Sequence, residues 1–258
     1  MYLLRFEVEN IKALIKATNA NLSSEQKLAK VYFSAEDFLK NRTMIEEASK
    51  ASSIKQISDT LKKTDYALAL SMGLQSYEEN ASTTCLDVLL DKVFYEKLFD
   101  AYEQLPKKEK HHASFYASLQ NDSYTLLTLL RGKNLTYDAN WLRLAVPHDN
   151  FNLPRETVEA LVTAVDFETA IKIAIEGYYG KYFVKGKDPK ETLGNAEKAF
   201  SKALFDHAKA SVITENFNIG APLAFLTQKE AEVHNLIVLS AGVEAAMKPE
   251  EIQSQLLL

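Results

Sequence analysis

The residues that could do chemistry are few, and their spacing limits what they can do. The stretch Gly180 to Pro189, GKYFVKGKDP, comes closest to a phosphate cradle. A P-loop needs four residues between its glycines, then Lys and Ser or Thr, after a strand. Here five residues separate Gly180 from Gly186, and Lys187 and Asp188 follow. Lys181, Lys185 and Lys187 with Tyr182 and Phe183 could instead grip a nucleic-acid backbone and stack a base, but a formal charge of -5 runs against a general nucleic-acid binder. An exposed loop that touches a protein partner is the simpler reading. His148 beside Asp149 could begin a hydrolytic metal site, which would need further His and Asp ligands from other helices. His111 and His112 could in principle supply them, but as neighbours on a helix they would point about 100° apart, and His207 and His234 are isolated. The acid pairs Glu46 and Glu47, Glu78 and Glu79, and Glu250 and Glu251 are also sequence neighbours, which do not face each other on a helix. No His-x-x-x-His, paired cysteine or Gly-x-Ser-x-Gly occurs. No nucleophile stands beside an orienting base, so the sequence predicts neither an active site, a metal nor a cofactor.

The elements that must carry these residues read as helices. Only 8 Gly and 6 Pro in 258 residues leave little punctuation for the turns of a β-sandwich or barrel, while Ala, Leu, Lys and Glu fill long periodic segments. The fold class is all-α. The first helix runs to about Asn19, beginning in mid-pattern as though a partner helix preceded it. Ser24 to Tyr32 follows, and then a helix capped by Ser34 runs through Ala48. Ser53 to Leu61 and Tyr66 to Tyr77 continue the 3.6-residue pattern, and the polar cluster Asn80 to Thr84 marks a boundary. Thr84 to Leu105 is a long amphipathic helix stopped by Pro106, and Lys107 to His112 reads as a charged turn. Ala113 to Lys133, a short helix from Trp141, a helix opened by Pro154, Asp166 to Tyr179, Asn195 to Val212, Pro222 to Leu239 and a last turn from Pro249 complete the chain.

One pattern occurs three times. Laying Glu232 over Asp122 and over Glu7 aligns Asn235, Leu236, Leu239 and Gly242 with Thr125, Leu126, Leu129 and Gly132, and with Asn10, Ile11, Leu14 and Ala17. The copies lie 110 and 115 residues apart, which predicts one small helical lobe per period. Each copy buries one apolar face. The polar members Asn10, Lys12 and Lys16, then Arg131 and Lys133, then Lys229, Glu230 and Asn235, are expected to be solvated, to line the lobes or to meet partners. The lobes divide as 1–82, 83–193 and 194–258.

At 47% hydrophobic content the chain can bury a sizeable core. The single cysteine, Cys85, cannot form an intramolecular disulfide, which suits a reducing compartment. There is no run of about 18 uncharged apolar residues and no signal-peptide pattern, so the chain is expected to be cytoplasmic.

On these three copies the chain resembles the C-type member of archaeal and bacterial A/V-type rotary ATPases, the relative of the d-type member of the eukaryotic vacuolar ATPase. The third copy is the sharpest match, with Lys229, Glu230, Glu232, Leu236 and Leu239 followed by Gly242 and a short last helix from Pro249 to Leu256. The first copy supplies Glu7, Asn10, Ile11, Leu14 and Lys16. The second keeps Asp122, Leu126, Leu129, Arg131 and Lys133, with Thr125 where Asn is expected. Family members carry a further N-terminal unit ahead of the first copy. The resemblance implies a three-lobed funnel without catalytic residues or cofactors. It would sit peripherally on the cytoplasmic face of the membrane and couple the proteolipid ring to the central shaft of D- and F-type subunits. Asn10, Lys12, Lys16, Arg131, Lys133, Lys229, Glu230 and Asn235 would line lobes or partner surfaces, and charge reversal at Lys12 and Lys16 would weaken shaft binding without unfolding the chain. A free-standing helical scaffold of the same fold is the alternative.

Overall fold

The computed structural model describes residues 2–214 and 217–257. It is all-helical: about 75% of it is helix, in 14 helices with no strand among the described residues. In chain order these are α1 (Leu4–Asn19), α2 (Ser24–Leu28), α3 (Phe33–Leu39), α4 (Arg42–Ser49), α5 (Ile54–Thr60), α6 (Ala67–Asn80) and α7 (Thr84–Glu103). Then come α8 (Lys107–Asn134), α9 (Ala139–Ala145), α10 (Arg155–Thr163), α11 (Phe167–Glu176), α12 (Pro189–Thr214), α13 (Gly220–Glu244) and α14 (Pro249–Gln255). A single 3-10 turn, Gly180–Tyr182, lies between α11 and α12.

The chain forms two compact units. One comprises residues Met1–Ala101 and Leu144–Asp149, the other Tyr102–Arg143 and Asn150–Leu258. In the first, Val8, Ile11, Leu14 and Ile15 form a stripe on α1 that is at most 1% exposed, and α2 to α5 pack around it. Ile45, Ile57, Leu70, Leu86 and Leu90 complete that core. In the second unit, α8 is the central element, with α10, α11, α12 and α13 against it, and α12 packs along α13.

The repeat is written into the backbone as well as the sequence. α1, α8 and α13 each end in a left-handed residue: Asn21 at φ 54°, Thr136 at φ 58° and Ala246 at φ 52°. The next amide returns to the carbonyl of the helix's last turn, from Leu22 to Ala17, Tyr137 to Gly132 and Met247 to Gly242, at 3.0, 3.0 and 2.9 Å. This is the Schellman closure, normally built on glycine. None of the three is glycine, and threonine is a poor left-handed residue, so tertiary packing imposes the turn. The small residue of the motif explains part of that packing. A Cβ on Gly132 would stand 2.2 Å from Cδ2 of Leu142, and one on Gly242 would stand 2.6 Å from Cγ1 of Ile252. In both copies the contacting side chain lies ten residues on, from the following short helix.

Three local expectations change. The helix through Ala48 is two helices, α3 and α4, broken at Lys40, which takes φ 61°. Ser34 lies inside α3 rather than capping it, and the residue ahead of α3 is Tyr32, without a side-chain cap. Lys107 to His112 is not a turn but the opening stretch of α8, which starts directly after the extended Pro106. Proline at that place cannot donate a backbone hydrogen bond and none is needed there.

Candidate functional site

The sequence places an acid and an amide or hydroxyl three residues apart on each motif helix, which puts them one turn apart on one face. In α1, Glu7 is 2% exposed. It accepts a hydrogen bond from the Tyr66 hydroxyl at 2.7 Å and another from the Asn41 side-chain amide. Asn10 is fully buried and clamps the chain entering α3: its Oδ1 accepts from the Tyr32 amide at 2.8 Å and its Nδ2 donates to the Tyr32 carbonyl at 3.3 Å. The same Nδ2 donates to Glu36 Oε1 at 2.6 Å. Glu36 is also fully buried. Burial pushes its carboxyl up to about 7, against the Asn10 hydrogen bond and with the help of the nearby Glu7 charge. Burial first, and then the Glu7 charge, likewise raise the Tyr66 hydroxyl well above the ordinary phenol range.

In α8, Asp122 takes the place of Glu7 and is fully buried. It accepts from the Phe151 and Asn152 backbone amides at 2.9 and 2.7 Å and from the Tyr179 hydroxyl at 2.8 Å. Burial raises its carboxyl above the usual range while these bonds oppose the shift. Thr125 stands in the position of Asn10, and its hydroxyl donates to Asn150 Oδ1 at 2.7 Å. In α13, Asn235 repeats the Asn10 clamp: its Nδ2 donates to the Leu257 carbonyl and its Oδ1 accepts from the Leu257 amide, both at 2.8 Å. Clamp and target are 22 residues apart in both cases. Tyr66 follows its acid by 59 residues and Tyr179 follows by 57. Glu232, the third acid, is exposed and paired with Lys229 of its own helix at 2.6 Å.

The remaining charged candidates fall into two groups. Lys12 is 7% exposed, and its ammonium reaches Asp91 of α7 and Glu9. Burial would lower its affinity for the proton, but the two acids more than compensate and hold it above the usual lysine value. Its charge is therefore internal structure, and reversing it would place a carboxylate against Asp91. Lys16 is exposed beside Asp87 at 3.0 Å, and Arg131 is exposed beside Glu197 at 2.6 Å. Lys133 and Glu230 are half-buried, and Lys229 is exposed. Asn10 joins α1 to α3 and Asn235 joins α13 to the end of α14, and of these residues Lys229 and Asn235 line one groove beside α13.

The geometry fits hydrogen-bonded latches. Glu7 and Asp122 each accept from a tyrosine hydroxyl and from a backbone or side-chain amide, an arrangement that fixes segments far apart in sequence. Among the described residues no group of three or more His, Cys, Asp or Glu converges on a point. His148 is 79% exposed on its side chain, with Nε2 3.8 Å from Glu96. The loop after Gly180 is tied down, with Lys185 paired to Glu168 at 2.8 Å and the Lys187 amide donating to Glu191. Among the described residues no helix is long and apolar enough to cross a membrane.

A model of the ATP synthase (C/AC39) subunit family matches residues 1–255. The chain belongs to that family. It is 27% identical over 262 residues to the A-type ATP synthase C-type protein of Methanothermobacter thermautotrophicus, covering 99% of this chain and 66% of the relative. The corresponding protein of Methanocaldococcus jannaschii is 24% identical over 257 residues, covering 98% and 63%, and that of Methanobrevibacter smithii is 26% identical over 263 residues, covering 97% and 65%. The chain thus spans slightly under two thirds of the length of these relatives. For this family member the motif helices were legible from sequence, whereas Glu36, Tyr66, Asn41, Asn150, Asn152 and Tyr179 were not. The signal that could have found the tyrosines is their matching distance from the acid in two copies.

Proposed function

We propose that the chain is a non-catalytic central-stalk subunit of an A/V-type rotary ATP synthase or ATPase, coupling the membrane proteolipid ring to the shaft. The observation that carries this reading is the match to the ATP synthase (C/AC39) subunit family along residues 1–255, joined by relatives named as the C-type protein of the A-type ATP synthase. In this reading the lobes 1–82, 83–193 and 194–258 build a funnel that sits peripherally on the cytoplasmic face of the membrane, takes the shaft foot of D- and F-type subunits and drives proton or sodium transport. Torque transfer asks for stiffness and breakable surface contacts rather than chemistry. The buried Glu7–Tyr66 and Asp122–Tyr179 bonds support the stiffness. Lys16, Arg131 and Lys229 are exposed and suit polar partner contacts.

The test is co-purification of the chain with its shaft subunits from its own source, with Lys16→Glu, Arg131→Glu and Lys229→Glu as surface variants. Shaft subunits held by the wild type and weakened by a charge reversal support the reading. A folded chain that retains neither shaft nor ring subunits contradicts it and favours a free-standing scaffold.

A further inference from the structure

Helix α3 is fastened to α1 at three points, and one small polar cluster makes all three. Asn10 clamps the backbone of Tyr32 at the entry of α3, Glu36 in its middle accepts from Asn10 Nδ2 at 2.6 Å, and Asn41 just past its end donates to Glu7. Much of the apolar surface here faces solvent: Tyr32 and Phe38 are 65% and 74% exposed. The chain leaves α3 through Lys40 at φ 61°, a left-handed conformation that lysine seldom takes. Such a helix depends on its polar fastenings to stay in place.

The cluster holds two carboxyls, and among the described residues no cation pairs with either. Glu7 and Glu36 are both buried and in hydrogen-bond contact, and Oε2 of Glu36 receives no donor. From α1 the groups facing Glu36 are the Glu7 carboxyl and the neutral Asn10 amide, and from its own helix the nearby charge is Asp37. The Tyr66 hydroxyl, bonded to Glu7, keeps its proton. The neighbouring cations are engaged elsewhere or exposed. Arg42 of α4 pairs with Asp37 and Glu46 at 2.7 and 3.0 Å, Lys40 is exposed, and Lys12 of α1 reaches Asp91 and Glu9. Two carboxylates offer acceptors only, so their contact requires a proton between them. A metal ion is a poor substitute, because Tyr66, Asn41 and Asn10 already aim their hydrogens at these oxygens.

We propose that Glu7 and Glu36 share one proton and that this proton fastens α3 to α1: its loss leaves two like charges in the interior, which α3 relieves by opening and carrying Glu36 into solvent. The direction of the switch follows from the proton affinity of the closed state. Burial and the Glu7 charge, against the Asn10 bond, hold the Glu36 proton to about 7 where an ordinary value is 4.5. The latch is therefore closed below neutral pH and loosens as pH rises through about 7. Asn10 binds Tyr32 and Glu36 with the same amide, so the entry and the middle of α3 are released together.

Hydrogen exchange of amides 37–41 and 11–15, each divided by its intrinsic rate, tests this between pH 5.5 and 8 and in low urea. The α3 amides are expected to exchange through an opening smaller than unfolding, less protected than α1 and insensitive to low urea. Their protection is expected to fall about tenfold or more from pH 5.5 to 8. Glu36→Gln removes that fall, and Glu7→Gln moves it to lower pH because the second charge is gone. An infrared band of a protonated carboxyl, present at pH 6 and lost by pH 8 in the unaltered chain, reads the same proton without any substitution. Protection of α3 that is independent of pH overturns the proposal. So does α3 protection that matches α1 and responds equally to urea, which would mean that the helix opens only when the whole unit unfolds. A fall that persists in Glu36→Gln, a fall unmoved in Glu7→Gln, or the lack of a titrating carboxyl band overturns it equally.

Discussion

In α1 and α8 the motif acid is sealed beneath a tyrosine and the apolar residues one and two turns further on are buried, while in α13 the same positions face solvent. Yet α13 retains the left-handed cap at Ala246, the tight Gly242–Ile252 contact and the Asn235 clamp on Leu257. The difference separates two layers of the repeat. Residues within about one helical hairpin set the frame, because caps and amide clamps act locally. Burial of the face comes from a segment that returns from further along the chain with a tyrosine.

The comparison breaks most visibly at the acids. Asp122→Ala leaves the Phe151 and Asn152 amides without their acceptor, takes the shorter of the Tyr179 hydroxyl's two acceptors and is expected to cost about 3–5 kcal/mol. Glu232→Ala, on an exposed side chain, stays within about 0.5 kcal/mol. Urea denaturation of both variants checks the contrast, and equal losses would remove it. The apolar positions give the next largest difference. Leu126→Ala opens a cavity worth about 2–5 kcal/mol, whereas Leu236→Ala costs under about 1 kcal/mol, read in the same way.

The first copy also differs from the second in carrying a second buried carboxyl. Glu36 faces Glu7, Asn10 and Tyr66, with Asp37 adjacent in sequence, and its proton is held to about 7 in the folded chain against an ordinary value of 4.5. The folded state keeps a proton that the unfolded state releases. The stability this contributes is fully present below about pH 4.5 and is lost as pH rises through about 7. Denaturation midpoints taken from pH 5 to 8 are expected to show a fall of about 1–3 kcal/mol. Glu36→Gln removes that dependence, since an amide has no proton to lose; a slope unchanged in the variant would assign it elsewhere. A more modest loss belongs to the third clamp. Asn235→Ala loses two bonds to the half of the frame nearest solvent and costs about 1 kcal/mol, seen as faster exchange in α14 with α8 unaffected.

Much of this was legible in the sequence because helical periodicity and a repeated register are local signals. The offsets of 110 and 115 residues that align Glu7, Asp122 and Glu232 also align the caps at Asn21, Thr136 and Ala246. Asn10 misled because an amide on a helix reads as a solvated residue, and only the geometry of the incoming chain at Tyr32 shows that it replaces a backbone partner. Glu36 and the two tyrosines are paired with their partners across 26 to 59 residues, and no spacing rule within one helix reaches that far. The break at Lys40 was hidden because lysine seldom takes a left-handed conformation. The helical start at Lys107 was hidden because exposed first turns are charged.

Hydrogen exchange on the 258-residue chain, comparing amides 8–15, 123–130 and 233–240 in one experiment, tests the two-layer account most directly. The account predicts strong protection of the first two stretches, exchange about a hundredfold or more faster in the third, and a protected cap at Met247. Equal protection of all three would contradict it, since the cover that Tyr66 and Tyr179 bring could then not be what seals these helices.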